Sequence, residues 1–144
     1  MLGLPDSSRD LIIDKTILLE AGFDELNGID WEKGCYIGQE VTARTYYRGL
    51  VKRRLFPIST HKTALTHGSD ILLTDRIVGK LGSVAQKNDK AVGLASLRLD
   101  AVQQSLDNQK KSGSALLSLE DGTPLFLNIP SWMHPLPGFD TAED

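Results

Sequence analysis

From residue 50 onward, turn signals cut the chain into short β-prone runs, and this rhythm limits the possible folds more than any other feature. The runs cover residues 54–60, 70–74, 76–86, 90–99, 115–119 and 125–129, with His67-Gly68, Asn88-Asp89 and Asp121-Gly122 among the breaks. Short strands at such spacing predict an antiparallel sheet that closes into a small barrel. Residues 99–109 interrupt the rhythm as a helical excursion with Asp100 as its N-cap. A chain of 144 residues with 40% hydrophobic content can bury one sizeable core plus a smaller appended element. The expected fold is mainly β, an α+β chain with a small antiparallel C-terminal β-barrel over residues 50–130. An irregular, partly helical segment over 1–49 precedes it, and a loose tail over 131–144 follows, marked by Pro135, Pro137 and the acidic Asp140, Glu143 and Asp144.

The first 49 residues lack that rhythm. Gly3-Leu4-Pro5-Asp6-Ser7-Ser8 is turn-rich, and Pro5 disfavours helix at Leu4. Residues 11–19 read as a strand or a buried segment until Gly22 and Asn27-Gly28 interrupt them, so the region is expected to be irregular with short helical pieces. Good helix formers without proline predict a short helix from Gln39 to Arg44 or Thr45.

Composition removes several function classes. No apolar run approaches the roughly 18 residues of a membrane span. Neither a secretory leader nor an Arg-rich presequence opens the sequence, which makes the cytoplasm the default expectation. The single cysteine, Cys35, cannot form an intrachain disulfide or build a thiolate metal cage alone. His61, His67 and His134 have no metal-ligand spacing, so no metal site is expected. Phosphate-loop, GxGxxG and nucleophile-elbow patterns are absent, and a conventional enzyme is not expected. Trp31 and Trp132 read as core or lid aromatics. The net charge of −3 conceals a basic stretch, since residues 33–54 hold Lys33, Arg44, Arg48, Lys52, Arg53 and Arg54 against Glu40. Such a patch suits an anionic ligand or an RNA backbone, and equally a solvated face.

Chemistry concentrates in KGCYIGQEVTARTYYRG, residues 33–49. Gly34 and Gly38 flank Cys35-Tyr36-Ile37 and let the backbone make tight or left-handed turns that present the cysteine. A helix starting near Gly38, with Lys33 and Arg44 nearby, would favour the thiolate, the nucleophilic and metal-binding form. A buried inert thiol is the ordinary alternative. Glu40 reads as a first-turn carboxylate or as an acid/base group. Tyr46, Tyr47 and Arg48, followed by Lys52 and Arg53, combine rings with cations as a pterin-like or single-stranded ligand requires; the tyrosines could equally pack against the barrel.

Lys33, Gly34, Cys35, Tyr36, Gly38, Gln39 and Glu40 resemble the KGCY-x-GQE signature of YgfZ-type proteins, a family that includes mitochondrial iron–sulfur cluster assembly and insertion factors. Gly3-Leu4-Pro5, Leu18-Leu19-Glu20, Arg44, Arg48, Gly49, Lys52-Arg53, Gly79, Gly82, Ser83 and Ala95-Ser96-Leu97-Arg98 are similar to the same family. The resemblance implies a relation to the glycine cleavage T-protein, whose three domains surround a channel for a tetrahydrofolate derivative and end in a small β-barrel. Residues 1–49 then form the end of the folate-binding domain. The implied role is folate-dependent assistance to iron–sulfur cluster assembly or repair, with a possible link to tRNA modification. The resemblance implies Cys35 as the reactive residue, with Lys33, Gly34, Tyr36, Gly38, Gln39 and Glu40 forming its motif. Arg44, Tyr47, Arg48, Lys52 and Arg53 are the expected anion or ligand contacts. Expected partners are iron–sulfur client or assembly proteins, the N-terminal domains of the same protein and, for an RNA-directed role, RNA, but no membrane. Alternatives are a T-protein-like aminomethyltransferase and an RNA-binding accessory protein. Apolar surface covered by the missing domains is expected between residues 10 and 30.

Overall fold

Alternating burial marks the expected sheet: Ile71 and Leu73, Leu117 and Leu119, and Leu125 and Leu127 turn inward while their neighbours face outward. The computed structural model describes residues 3–62, 64–87 and 89–133. It contains β1 (Arg53–Thr60), β2 (Asp70–Leu73), β3 (Arg76–Lys87), β4 (Lys90–Arg98), β5 (Leu117–Leu119) and β6 (Pro124–Leu127). Helix α1 (Gln39–Tyr47) precedes the strands, and α2 (Leu99–Ser112) lies between β4 and β5. The strands close into an antiparallel barrel in the order β1-β4-β3-β2-β5-β6. The mainly β expectation holds, with every expected barrel strand present, whereas residues 11–19, read as a strand or a buried segment, form no strand and leave Ile12 and Ile13 exposed.

The barrel is filled by Phe56, Ile58, Ile71, Val78, Leu81, Leu97, Leu117, Leu125 and their neighbours. Burying each such side chain contributes about 1.5–3 kcal/mol. Helix α2 adds Ala101 and Val102 to this core. It does not begin with an Asp100 cap: its N-cap is Arg98, the last residue of β4, so strand passes into helix without a loop. Asp100 instead occupies the first turn and accepts hydrogen bonds from Arg98. That ion pair holds its carboxyl below the usual range. Trp132 and Met133 pack on the core, whereas residues 134–144, with His134 and the rest of the expected tail, lie outside the described residues, as does Asn88 of the expected turn.

Pro57 sits within β1, where it could cost a ladder bond. Two residues earlier, Leu55 sends its N–H to the Glu20 carbonyl at 3.0 Å, away from β4. By the period of two, the donor missing at Pro57 falls on that same side and leaves the β1–β4 ladder intact.

Residues 3–38 form turns with local hydrogen bonds, including Thr16 N–H to Ile12 O and Leu26 N–H to Gly22 O. They are fastened to the barrel at three points. Leu19, Ile29 and Val51 form a second apolar cluster, joined by Phe23, Trp31 and Leu99. Buried Arg54 reaches back to Asp24 and Glu25. Asp10 serves a bulge in β3, where the register against β4 shifts between Leu81 and Val84. Its Oδ1 accepts the Ser83 N–H at 2.6 Å and its Oδ2 the Ser83 hydroxyl at 2.7 Å, so Asp10 satisfies a donor that the bulge removes from the ladder. A Cβ at Gly82 would collide with Asp10 Oδ1 and come within 3.2 Å of Leu94 O. Gly82→Ala is expected to cost about 1–3 kcal/mol, read as a lower urea midpoint at unchanged m; a midpoint equal to that of the parent would show that Asp10 does not pin the bulge.

Candidate functional site

The site segment begins with Asp30, whose Oδ1 accepts the N–H groups of Glu32 and Lys33 and so fixes the turn before the cysteine. Cys35 follows and is exposed. The chain then enters α1 through Gly38, which has φ 90°. This left-handed conformation is the one that glycine adopts readily, and Gly34 shows no positive φ. Gln39 turns back so that its Oε1 accepts the Tyr36 N–H at 3.3 Å. The motif glycine and glutamine thus shape the Cys35 loop.

The expected cations divide into three groups. Lys33 Nζ lies 4.6 Å from the centre of the Tyr36 ring, and Arg44 pairs with the exposed Glu40 one turn earlier on α1. That pairing gives Glu40 a helix-surface partner. Arg54 leaves the basic face altogether. Its side chain is 2% exposed and contacts both Asp24 oxygens at 2.6 Å, Glu25 Oε1 at 2.6 Å and Leu19 O at 3.2 Å. The charge run therefore overstated the surface patch. Arg48 and Lys52 are exposed, and half-buried Arg53 acts on Glu20, whose carboxyl is pushed up by burial more than Arg53 lowers it.

Trp31, Tyr46 and Tyr47 form an aromatic cluster, with ring centres of Trp31 and Tyr46 4.6 Å apart and those of Tyr46 and Tyr47 5.3 Å apart. Tyr47 remains 75% exposed, beside Arg48 in sequence. Trp31 joins the tyrosines although, fifteen residues before Tyr46, it reads in the sequence only as a core or lid aromatic. The described histidines have other roles: His67 Nε2 donates to Arg9 O at 2.9 Å, and the His61 ring packs edge-on to Phe126. A groove lined by Lys62, Thr66, Asp70, Glu120 and Asp121 lies on the barrel and includes none of the motif residues.

The geometry defines a closed β-barrel bearing an external arm that displays one cysteine. The family model "CAF17, C-terminal beta-barrel domain" matches residues 52–135, and the chain belongs to this family. It is similar to the protein named iron-sulfur cluster assembly factor IBA57, mitochondrial, of Homo sapiens, at 33% identity over 90% of this chain and 35% of that protein. The Mus musculus protein of the same name is 32% identical over 85% of this chain and 34% of its own length. A Neurospora crassa homolog is 46% identical over 40% of this chain and 13% of that protein. The chain spans about a third of the length of the human and mouse relatives. The cytoplasmic expectation is corrected, because these relatives are named mitochondrial. That expectation rested on a missing leader, and the start of a chain matching only a third of its relatives says nothing about one.

Proposed function

We propose that this chain is the C-terminal part of a mitochondrial iron–sulfur cluster assembly factor, with Cys35 as its reactive thiol. The observation that carries the reading is the exposed Cys35, held on a shaped loop immediately before a barrel of the matched family. The names of the relatives supply the process, and the KGCYIGQE stretch at residues 33–40 favours the YgfZ-type branch. A tetrahydrofolate derivative is the proposed ligand of the longer polypeptide. Tyr47 offers it a ring face, and Arg48 and Lys52 offer charge to its carboxylates. Cluster assembly or client proteins are the proposed partners.

Removing the encoding gene is expected to lower the activities of cluster-dependent enzymes several-fold while their polypeptides persist. Normal cluster enzymes with failed glycine cleavage would replace this reading by an aminomethyltransferase. Altered tRNA with intact clusters would replace it by an RNA-directed role.

A further inference from the structure

Helix α1 carries the far end of the Cys35 loop, yet none of its residues is buried. Nine residues are too few for a helix to be stable in water by itself, so something outside it must hold it in place. Its polar side chains do not. Among the described residues, the Glu40–Arg44 pair, the Thr42 and Thr45 hydroxyls on Gly38 O and Val41 O, and Gln39 on the Tyr36 N–H all bond within residues 36–45. The last turn differs. The rings of Tyr46 and Tyr47 both meet Trp31, with centres 4.6 and 6.2 Å from it, a range in which tilted and edge-on aromatic pairs attract each other beyond the area they bury.

Trp31 is itself anchored from the other side. It packs on the buried cluster of Leu19, Ile29 and Val51, where the arm meets the barrel. Its contact with Tyr46 therefore ties α1 to the body and closes a loop from residue 31 to residue 46. Two smaller closures lie inside that loop: Asp30 Oδ1 accepts the Lys33 N–H, and Gln39 Oε1 accepts the Tyr36 N–H. Gly34 and Cys35 are left as the short arc between two pinned residues. Each closure removes conformations that the arc would otherwise sample. We infer that Trp31 is a positioning residue, which clamps Tyr46 and Tyr47, holds α1 in one orientation and thereby presents Cys35 in one place. Its importance for function rests on the reading of Cys35 as the reactive thiol; the clamp itself does not.

Hydrogen exchange on this chain reads the clamp, and restoration of cluster-dependent enzymes by the longer polypeptide reads its consequence for Cys35. Trp31→Ala is expected to speed exchange of the helix amides at residues 42–48 about tenfold, with strand amides unchanged. Tyr46→Ala, at a side chain already 37% exposed, should do the same from the other side of the contact, and the double variant should go no further than either single one. Trp31→Phe keeps a ring at the contact and should exchange close to the parental rate. In cells lacking the gene, each alanine variant should lower the restored enzyme activities several-fold, and Trp31→Phe should restore them. Parental exchange in both alanine variants, or additive effects in the double variant, would overturn the inference. So would full restoration by alanine variants whose α1 is loosened while Cys35→Ser fails. Restoration by Cys35→Ser would instead remove the proposed function, and the exchange series would still decide whether Trp31 clamps α1.

Discussion

Arg54→Ala is expected to lower the unfolding free energy by about 3–5 kcal/mol, because it leaves two carboxylates facing each other without their cation. Asp24 and Glu25 are 9% and 7% exposed, so water cannot replace the guanidinium. For a domain of this size the melting temperature should fall on the order of 10 °C. Arg54→Lys should lie between the two, since a single ammonium cannot reproduce the forked contacts to both acids. Replacing Arg54, Asp24 and Glu25 together by apolar residues should recover most of the loss. A single alanine variant within about 1 kcal/mol of the parent would mean that the pair is solvated and that the arm is held by its apolar cluster alone.

Cys35→Ser is expected to separate function from stability completely. The side chain is exposed and receives no hydrogen bond among the described residues, so unfolding should move by less than about 0.5 kcal/mol. Yet in the longer polypeptide the variant should fail to restore cluster-dependent enzymes in cells lacking the gene, because an alcohol has neither the nucleophilicity nor the metal affinity of a thiolate. Restoration equal to the parent would reduce residues 33–40 to a hinge. The two variants therefore make opposite demands on the same segment: one should unfasten it without touching the thiol, the other should remove the thiol without loosening it.

The strands were legible because each is short, bounded by turn residues and patterned with a period of two, all of which are local properties. Helix α1 was legible too and runs to Tyr47, slightly beyond the expected end. Asp100 was misread because a good capping residue is a local signal, whereas the start of α2 is set by β4 arriving at Arg98 and by Leu99 N–H bonding to Lys52 O at 3.0 Å. Arg54 was misread for a related reason. A charge run is counted along one line, but the acids that neutralise Arg54 lie thirty residues upstream, and nothing in either stretch announces the other. Asp10 and Ser83 are separated still further, and their pairing depends on a bulge that only the folded register creates. Ile12 and Ile13 were expected in a region of uncovered apolar surface, and they are exposed. The order around Cys35 was readable in outline from Gly38 and Gln39, while the part played by Trp31 was not.

Closure of the barrel also decides how the molecule can meet other proteins. A sheet with open margins invites a foreign strand to extend it, by backbone bonding that largely ignores sequence. Here the first and last strands meet, at Ile58↔Leu127 and Ser59↔Phe126. Just beyond that short seam, Asn128 N–H bonds to Pro57 O, and Gln109 of α2 uses both ends of its amide on the Leu127 backbone. Farther along β1, Glu20 O takes the Leu55 N–H. With that seam occupied in this way, the β1–β6 margin offers no template for strand addition, and recognition there must be written in side chains, where discrimination between partners is sharper.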